Sequence, residues 1–151
     1  MTLRSVSLDI SGLAEAKGFC DEIGSVDLSK PMRQVSLVMR DKVVETFRDA
    51  HDPWHQPWPP LQQATLDKRA ARGNTRTSIL VDSGRMYDSI DNASDATSAT
   101  VSMDSPAEFH LDGTSRMPPR PMFPDDDPPD DWWSAVAQPI LGELDDAARR
   151  K

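Results

Sequence analysis

Proline decides where this chain can be regular. Four of its thirteen prolines fall within Pro53–Pro60 and six more within Pro118–Pro129. Each fixes φ, removes a backbone donor and biases the preceding residue away from helical geometry. Neither stretch therefore holds a regular helix or a central strand. The two runs mark irregular loops at 50–64 and 113–130 and confine the ordered elements to the segments around them. Loops of that length in a compact domain usually serve docking or function.

The segment before the first run carries the clearest periodicity. Met32, Val35, Met39, Val43 and Phe47 recur every three or four residues, while Arg33, Arg40, Lys42, Glu45 and Arg48 mostly fall elsewhere around the helix. This predicts a helix of about five turns from Ser29 to Asp49, with Ser29 as N-cap, Pro31 tolerated in the first turn and the apolar stripe in the core. Upstream, Val6, Leu8 and Ile10 alternate as in a short strand. Leu13, Ala16, Phe19, Cys20 and Ile23 repeat at helical spacing between a Ser11 cap and a Gly24 stop.

Between the loops, Thr65–Arg72 reads as a short polar helix closed by Gly73 and Asn74. A helical turn near Met86 and Tyr87 then passes into a strand around Ser89–Ala93. Thr97–Met103 is its antiparallel partner across Ser94-Asp95-Ala96. Pro106 opens a short helix to Asp112. A last helix starts at about Asp131, its expected cap, with Trp133, Val136, Ile140, Leu141 and Leu144 as its apolar face; Pro139 should kink or split it. The whole, 1–151, is expected to be one α+β domain. Its long central helix packs on a small, mostly antiparallel sheet, and the C-terminal helix covers another part.

Composition narrows the function classes. The net charge of −8 argues against wrapping free nucleic acid, which needs a basic stripe, but leaves room for DNA passing an acidic lining. With one cysteine there is no internal disulfide. No long apolar run predicts a membrane span, and the N-terminus lacks a signal-peptide core, so a cytoplasmic site of synthesis is expected.

Catalytic and metal constellations fail one by one. His51 and His55 are four apart, but Pro53 between them breaks the helix a two-histidine site needs, and no Cys cluster or HExxH accompanies them. Ser83, His110 and Asp112 supply the residue types of a triad, yet Asp82-Ser83-Gly84 lacks the flanking glycines of a nucleophile elbow. The run Asp125, Asp126, Asp127, Asp130, Asp131 has neither the glycine turn nor the closing Glu of an EF-hand and reads as a solvated acidic loop before a helix. There is no P-loop and no dinucleotide fingerprint. No catalytic residue, metal or cofactor is expected.

What remains is an ordered series: Trp58-Pro59-Pro60-Leu61; Thr65 with Arg69; Leu80 with Ser83-Gly84-Arg85-Met86 and Ser89-Ile90; Ala107 to Gly113 with His110; and Met117-Pro118-Pro119-Arg120-Pro121-Met122-Phe123. In order and approximate spacing this series resembles the phage virion morphogenesis family. That family's pattern runs roughly W-x-P-L, T-x-x-x-R, I-L-x-x-T-G-x-L-x-x-S-I, Y-A-x-x-H-x-x-G and I-P-A-R-P-F-L. Ser83 stands where the family has Thr, Met86 where it has Leu, and Pro119 where it has Ala; Ala107 or Phe109 stands near its Tyr-Ala. The PxRPxF element, combined with HxxG and SGxMxxSI, is the most specific part.

The resemblance implies a non-enzymatic structural subunit of the tail-completion type. It would form a ring with itself, hexameric to match the tail, at the head–tail junction. It would contact other phage neck and tail proteins and let genomic DNA pass without sequence-specific binding. Another neck component (terminator, adaptor or stopper) is the nearest alternative, and a small hydrolase using His110 the alternative of another class. Trp54, Trp58, Arg120, Met122 and Phe123 are the expected interface anchors, since aromatic and Arg side chains dominate such contacts. Arg120 is read equally as an intrachain residue. Gly84, His110, Gly113, Pro118 and Pro121 are expected to hold the motif's backbone.

Overall fold

The computed structural model describes residues 4–9 as backbone and 26–104, 106–124 and 127–150 with side chains. The helix foreseen from Leu13 to Ile23, with Cys20, lies outside the described residues. The elements in order are β1 (Arg4–Asp9), α1 (Ser29–Asp49), α2 (Gln63–Ala71), α3 (Arg85–Asp88), β2 (Asp91–Ser94), β3 (Ser98–Met103), α4 (Ala107–Asp112) and α5 (Asp130–Arg149). The fold is α+β, as the sequence predicts.

The sheet has three strands in the order β1-β3-β2, antiparallel throughout. Asp91 pairs with Ser102 and Ser94 with Ala99, so the hairpin predicted at Ser94–Ala96 is real. Asp95 shapes its turn, accepting the backbone N–H groups of Thr97 and Ser98 at 2.8 Å each. These bonds hold the Asp95 carboxyl below its ordinary range. Along β3, Ala99, Val101 and Met103 are buried while their neighbours are half-exposed, the period of two expected of a strand with one face on the core.

α1 lies across that buried face. Its stripe Met32, Val35, Met39, Val43 and Phe47 is at most 5% exposed. Each such side chain contributes on the order of 1.5–3 kcal/mol by leaving water. Two polar residues share the buried side. Ser36 and Thr46 donate to the Arg33 and Val43 carbonyls, and Asn92 of β2 donates to Ser36 Oγ at 3.0 Å. Ser29 is not the cap. Leu28 occupies that position, and the Asp27 carboxylate takes the Ser29 N–H at 2.9 Å, one residue earlier than expected. Ala50, at φ 55°, ends the helix in left-handed geometry.

α5 also packs against α1 and corrects three expectations. Its buried face is Trp132, Val136 and Ala147, whereas Trp133 and Leu141 are 45% and 61% exposed. Two tryptophans in tandem allow either to start the stripe, and the register with α1 selects the first. Asp131 does not cap; Pro129 is the N-cap residue and no side chain bonds the end. Asp131 instead bonds Lys42 Nζ of α1 at 2.6 Å. Pro139 does not split the helix, which runs unbroken around it. Among the described residues no helix is long and apolar enough to cross a membrane.

Candidate functional site

The two proline-rich loops are built by their own polar side chains. After α1, Asp52 Oδ1 accepts the N–H groups of Trp54 and Gln56 at 2.9 and 2.8 Å, and Asp52 N–H donates to the Gln56 carbonyl. This side-chain-capped turn lets His55 adopt φ 61°. It returns the chain so that Trp58 N–H reaches the Ala50 carbonyl at 2.8 Å. The second loop starts at Gly113 (φ 71°), where a Cβ would lie 2.8 Å from Pro119 N and 2.9 Å from the Met117 carbonyl oxygen. Only glycine admits that approach. Thr114 and Met117 close a turn, and Arg120 N–H donates to the His110 carbonyl at 2.6 Å.

The loops then clasp each other. Trp58 Nε1 donates to the Pro121 carbonyl at 3.0 Å, and its ring meets Phe47 edge-on at 5.7 Å. In return, Arg120 Nε and Nη2 donate to the Pro59 carbonyl at 3.0 and 2.9 Å, and Nη2 also reaches Pro60 at 3.3 Å. Proline carbonyls suit this role, because a loop of prolines has acceptors without the donors that would otherwise pair them. Burial pulls the Arg120 pKa down from its ordinary value.

A second arginine organises the segment between the loops. Arg69 of α2 is 5% exposed, and its Nη1 donates to the Arg76 and Ser78 carbonyls at 3.0 and 2.9 Å. Asp82 Oδ1 lies 3.4 Å from Arg69 Nε and accepts Asn74 Nδ2 at 2.6 Å, while Oδ2 pairs with Arg72 at 3.1 Å. Gly84, at φ 90°, is the N-cap residue of α3 and sets Arg85 and Met86.

These segments meet around one cleft of about 690 Å³, the size of a small-ligand or side-chain site. Its walls include Pro59, Pro60 and Leu61 from the first loop and Thr65 and Arg69 from α2. Ser83, Gly84, Arg85 and Met86 contribute from α3 and its approach, and His110, Pro118 and Arg120 from the far side. The motif series spread along the sequence thus converges on a single place. His110 is half-buried there. Burial, then the Arg120 charge, holds its pKa below the ordinary imidazole value, against an opposing pull from Glu108. Its Nδ1 is buried with no hydrogen-bond partner among the described residues.

The expected anchors sit differently from one another. Trp58, Arg120, Met122 and Phe123 are at most 5% exposed, packed within their own chain; Trp54 is half-buried. Within the single chain Arg120 is held by the Pro59 and Pro60 carbonyls, the intrachain contact its sequence reading allowed. Gly84 and Pro118 line the cleft, Gly113 sets the turn against Pro119, and Pro121 offers its carbonyl to Trp58. Arg69, Asp82, Arg85 and Arg116 were not singled out from sequence as site residues. Arg69 and Arg85 stood in the motif series, whereas Asp82 and Arg116 lie outside it.

His51 and His55 lie in the loop turn, with rings 4.9 Å apart. Glu45, Asp49 and His51 bring ligand-type atoms within 4.8 Å of one another. Both Asp49 oxygens, however, are held by the Arg48 fork at 2.8 Å, which leaves that trio no argument for a metal. Ser83 and His110 share the cleft, but no hydrogen bond joins them among the described residues; Ser83 Oγ accepts the Arg85 N–H at 3.3 Å.

No curated protein and no solved structure matches the chain. A family model does, over residues 15–125, a span that contains every segment lining the cleft. On that match the chain belongs to the phage virion morphogenesis family.

Proposed function

We propose that this protein is a structural, non-catalytic subunit that completes the phage tail. Copies close into a sixfold ring at the head–tail junction, contact neighbouring neck and tail proteins, and make the tail competent to join the head while DNA passes through the lumen. The observation that carries this reading is the family match over 15–125, joined to the convergence of the motif series on one braced cleft. The net charge of −8 suits a lumen that DNA traverses without adhering. Repeated head-to-tail contacts that close by rotation give such a ring.

The test is cryo-electron microscopy of purified virions, with a phage lacking this gene as comparison. Expected are ring density at the tail end of the neck and, in the deletion, unjoined heads and tails. Absence of the protein from the particle sinks the proposal.

A hydrolase reading draws on Ser83 and His110 lining the same cleft. A nucleophile and its base need hydrogen-bond reach, and Ser83 is engaged with backbone instead. Labelling of Ser83 by a fluorophosphonate, lost in His110→Ala, would establish the enzyme; no labelling is expected.

A further inference from the structure

The cleft is basic in an acidic protein. Arg69, Arg85, Arg116 and Arg120 line it against one carboxylate, that of Asp82, while the chain as a whole carries −8. Arg69 and Arg120 are occupied by loop carbonyls and Asp82. Arg85 and Arg116 are exposed, and among the described residues neither guanidinium has an ion-pair or hydrogen-bond partner. The cleft is also built before any ligand arrives. Arg120 pins Pro59 and Pro60, Arg69 pins the Arg76 and Ser78 carbonyls, and Gly113 closes its turn against Pro119. A site braced by internal bonds has little left to order on docking.

Beside the two free arginines the wall is apolar. Pro59, Pro60 and Pro106 are exposed there, and Leu61 and Met117 are half-buried. At about 690 Å³ the space exceeds what a lone carboxylate or phosphate fills and has room for several side chains. A ligand that satisfies both chemistries carries carboxylates next to apolar groups. An extended peptide does so, its acids on the guanidinium forks and its apolar side chains on the proline and leucine wall. Nucleic acid does not, because its backbone offers charge alone and needs a longer basic stripe than two arginines make. This chain is a poor source for such a peptide. Among the described residues most exposed carboxylates sit in helices, as Asp41, Asp67, Asp88 and Asp146 do, and Asp95 is held by its hairpin turn.

We propose that the cleft receives an extended, acidic segment of a neighbouring neck or tail protein, with Arg85 and Arg116 pairing with its carboxylates. The inference rests on the tail-completion reading above and names the surface through which the subunit holds that neighbour.

Selection from a random decapeptide library on the full chain tests the cleft. Expected are sequences enriched in Asp or Glu beside apolar residues. By fluorescence polarisation the tightest of them should bind at least tenfold more weakly to Arg85→Glu/Arg116→Glu, and more weakly to Arg85→Gln/Arg116→Gln as well. Both arginines are exposed, so both variants should melt with the unmodified protein. If charge reversal unfolds the chain, the glutamine pair carries the comparison. Selection without acidic enrichment, binding unchanged by the variants, or equal binding of an octa-aspartate overturns the proposal. Displacement of the peptide by an equal concentration of duplex oligonucleotide overturns it in favour of nucleic acid. Self-association that the variants abolish, read by sedimentation of the protein alone, overturns it in favour of a second copy. A phage carrying the same substitutions separates this inference from the reading beneath it. Joined particles should fall at least tenfold. Unchanged joining overturns the contact and leaves tail completion standing. Absence of the unmodified protein from the virion overturns tail completion, and the peptide measurement then decides the cleft alone.

Discussion

Single side chains in this protein are worth most where they satisfy another loop's backbone. Arg120 is the clearest case, because its guanidinium supplies the three bonds that hold the Pro59 and Pro60 carbonyls. Hydrogen bonds from a charged donor are worth ~1.5–3 kcal/mol, so Arg120→Ala should lower the urea unfolding free energy by about that much or more. Arg120→Lys should recover only part, lacking the fork. Gly113 and Gly73 offer a paired test. Both have positive φ, at 71° and 73°, but only Gly113 has backbone within 3 Å of where a Cβ would stand. Gly73→Ala should cost about 1 kcal/mol and Gly113→Ala clearly more, read from the same denaturation curves. His110 makes a pH prediction. Its folded pKa is lowered by burial and by Arg120, so below the ordinary value the unfolded chain binds the proton more readily. Stability should fall as pH drops from about 6.5 toward the lowered folded value. His110→Gln should flatten that slope in melting curves between pH 7.5 and 5.5; an unchanged slope would assign the acid sensitivity elsewhere.

Among the elements, α5 tests how one register divides two adjacent tryptophans. Trp132 is 4% exposed against α1, and Trp133 is 45% exposed. Trp132→Ala should cost about 3–5 kcal/mol, and Trp133→Ala well under half of that, by urea titration. The Asp131–Lys42 bond at 2.6 Å ties the same two helices. Burial alone would raise the Asp131 pKa; the Lys42 hydrogen bond and charge, with His55, outweigh it and bring it below the ordinary value. The sign follows: this contribution is present above the unfolded carboxyl pKa and is lost as pH falls through the lowered folded value. Asp131→Asn should remove it, and a double-mutant cycle with Lys42→Met should isolate the pair. The elements with strong periodicity, α1 and β3, were legible in sequence because each buries one regularly spaced set of apolar side chains in the core. The caps were not. Ser29 and Asp131 have the right chemistry for capping, but the helix begins at the serine itself, which leaves Leu28 in the cap position, and the aspartate found a lysine on another helix. The cleft was legible only as a series of scattered motifs. Nothing in local spacing shows that Arg69 and Arg120 point at backbone carbonyls, because those acceptors come from segments seven to sixty-one residues away.

At the scale of the whole molecule, α1 is the spine. The sheet and α5 both pack against it, and Phe47 near its C-terminal end meets Trp58 of the first loop. The loops should therefore open as one unit. In hydrogen exchange the Trp58 and Arg120 amides, bonded to the Ala50 and His110 carbonyls, are expected to exchange with similar free energies, and Arg120→Ala should speed both. Unequal effects would show that the loops are independent. The reciprocal clasp has a consequence for the order in which the chain folds. It joins residues 61 and 63 positions apart, and closing such a loop costs about 1.6 kcal/mol more chain entropy than closing a ten-residue one. Hairpin and helices can form on local contacts, whereas the clasp is rewarded only after they have brought its ends together. It is the last seam to close, so substitutions within it should leave the refolding rate nearly unchanged and speed unfolding instead.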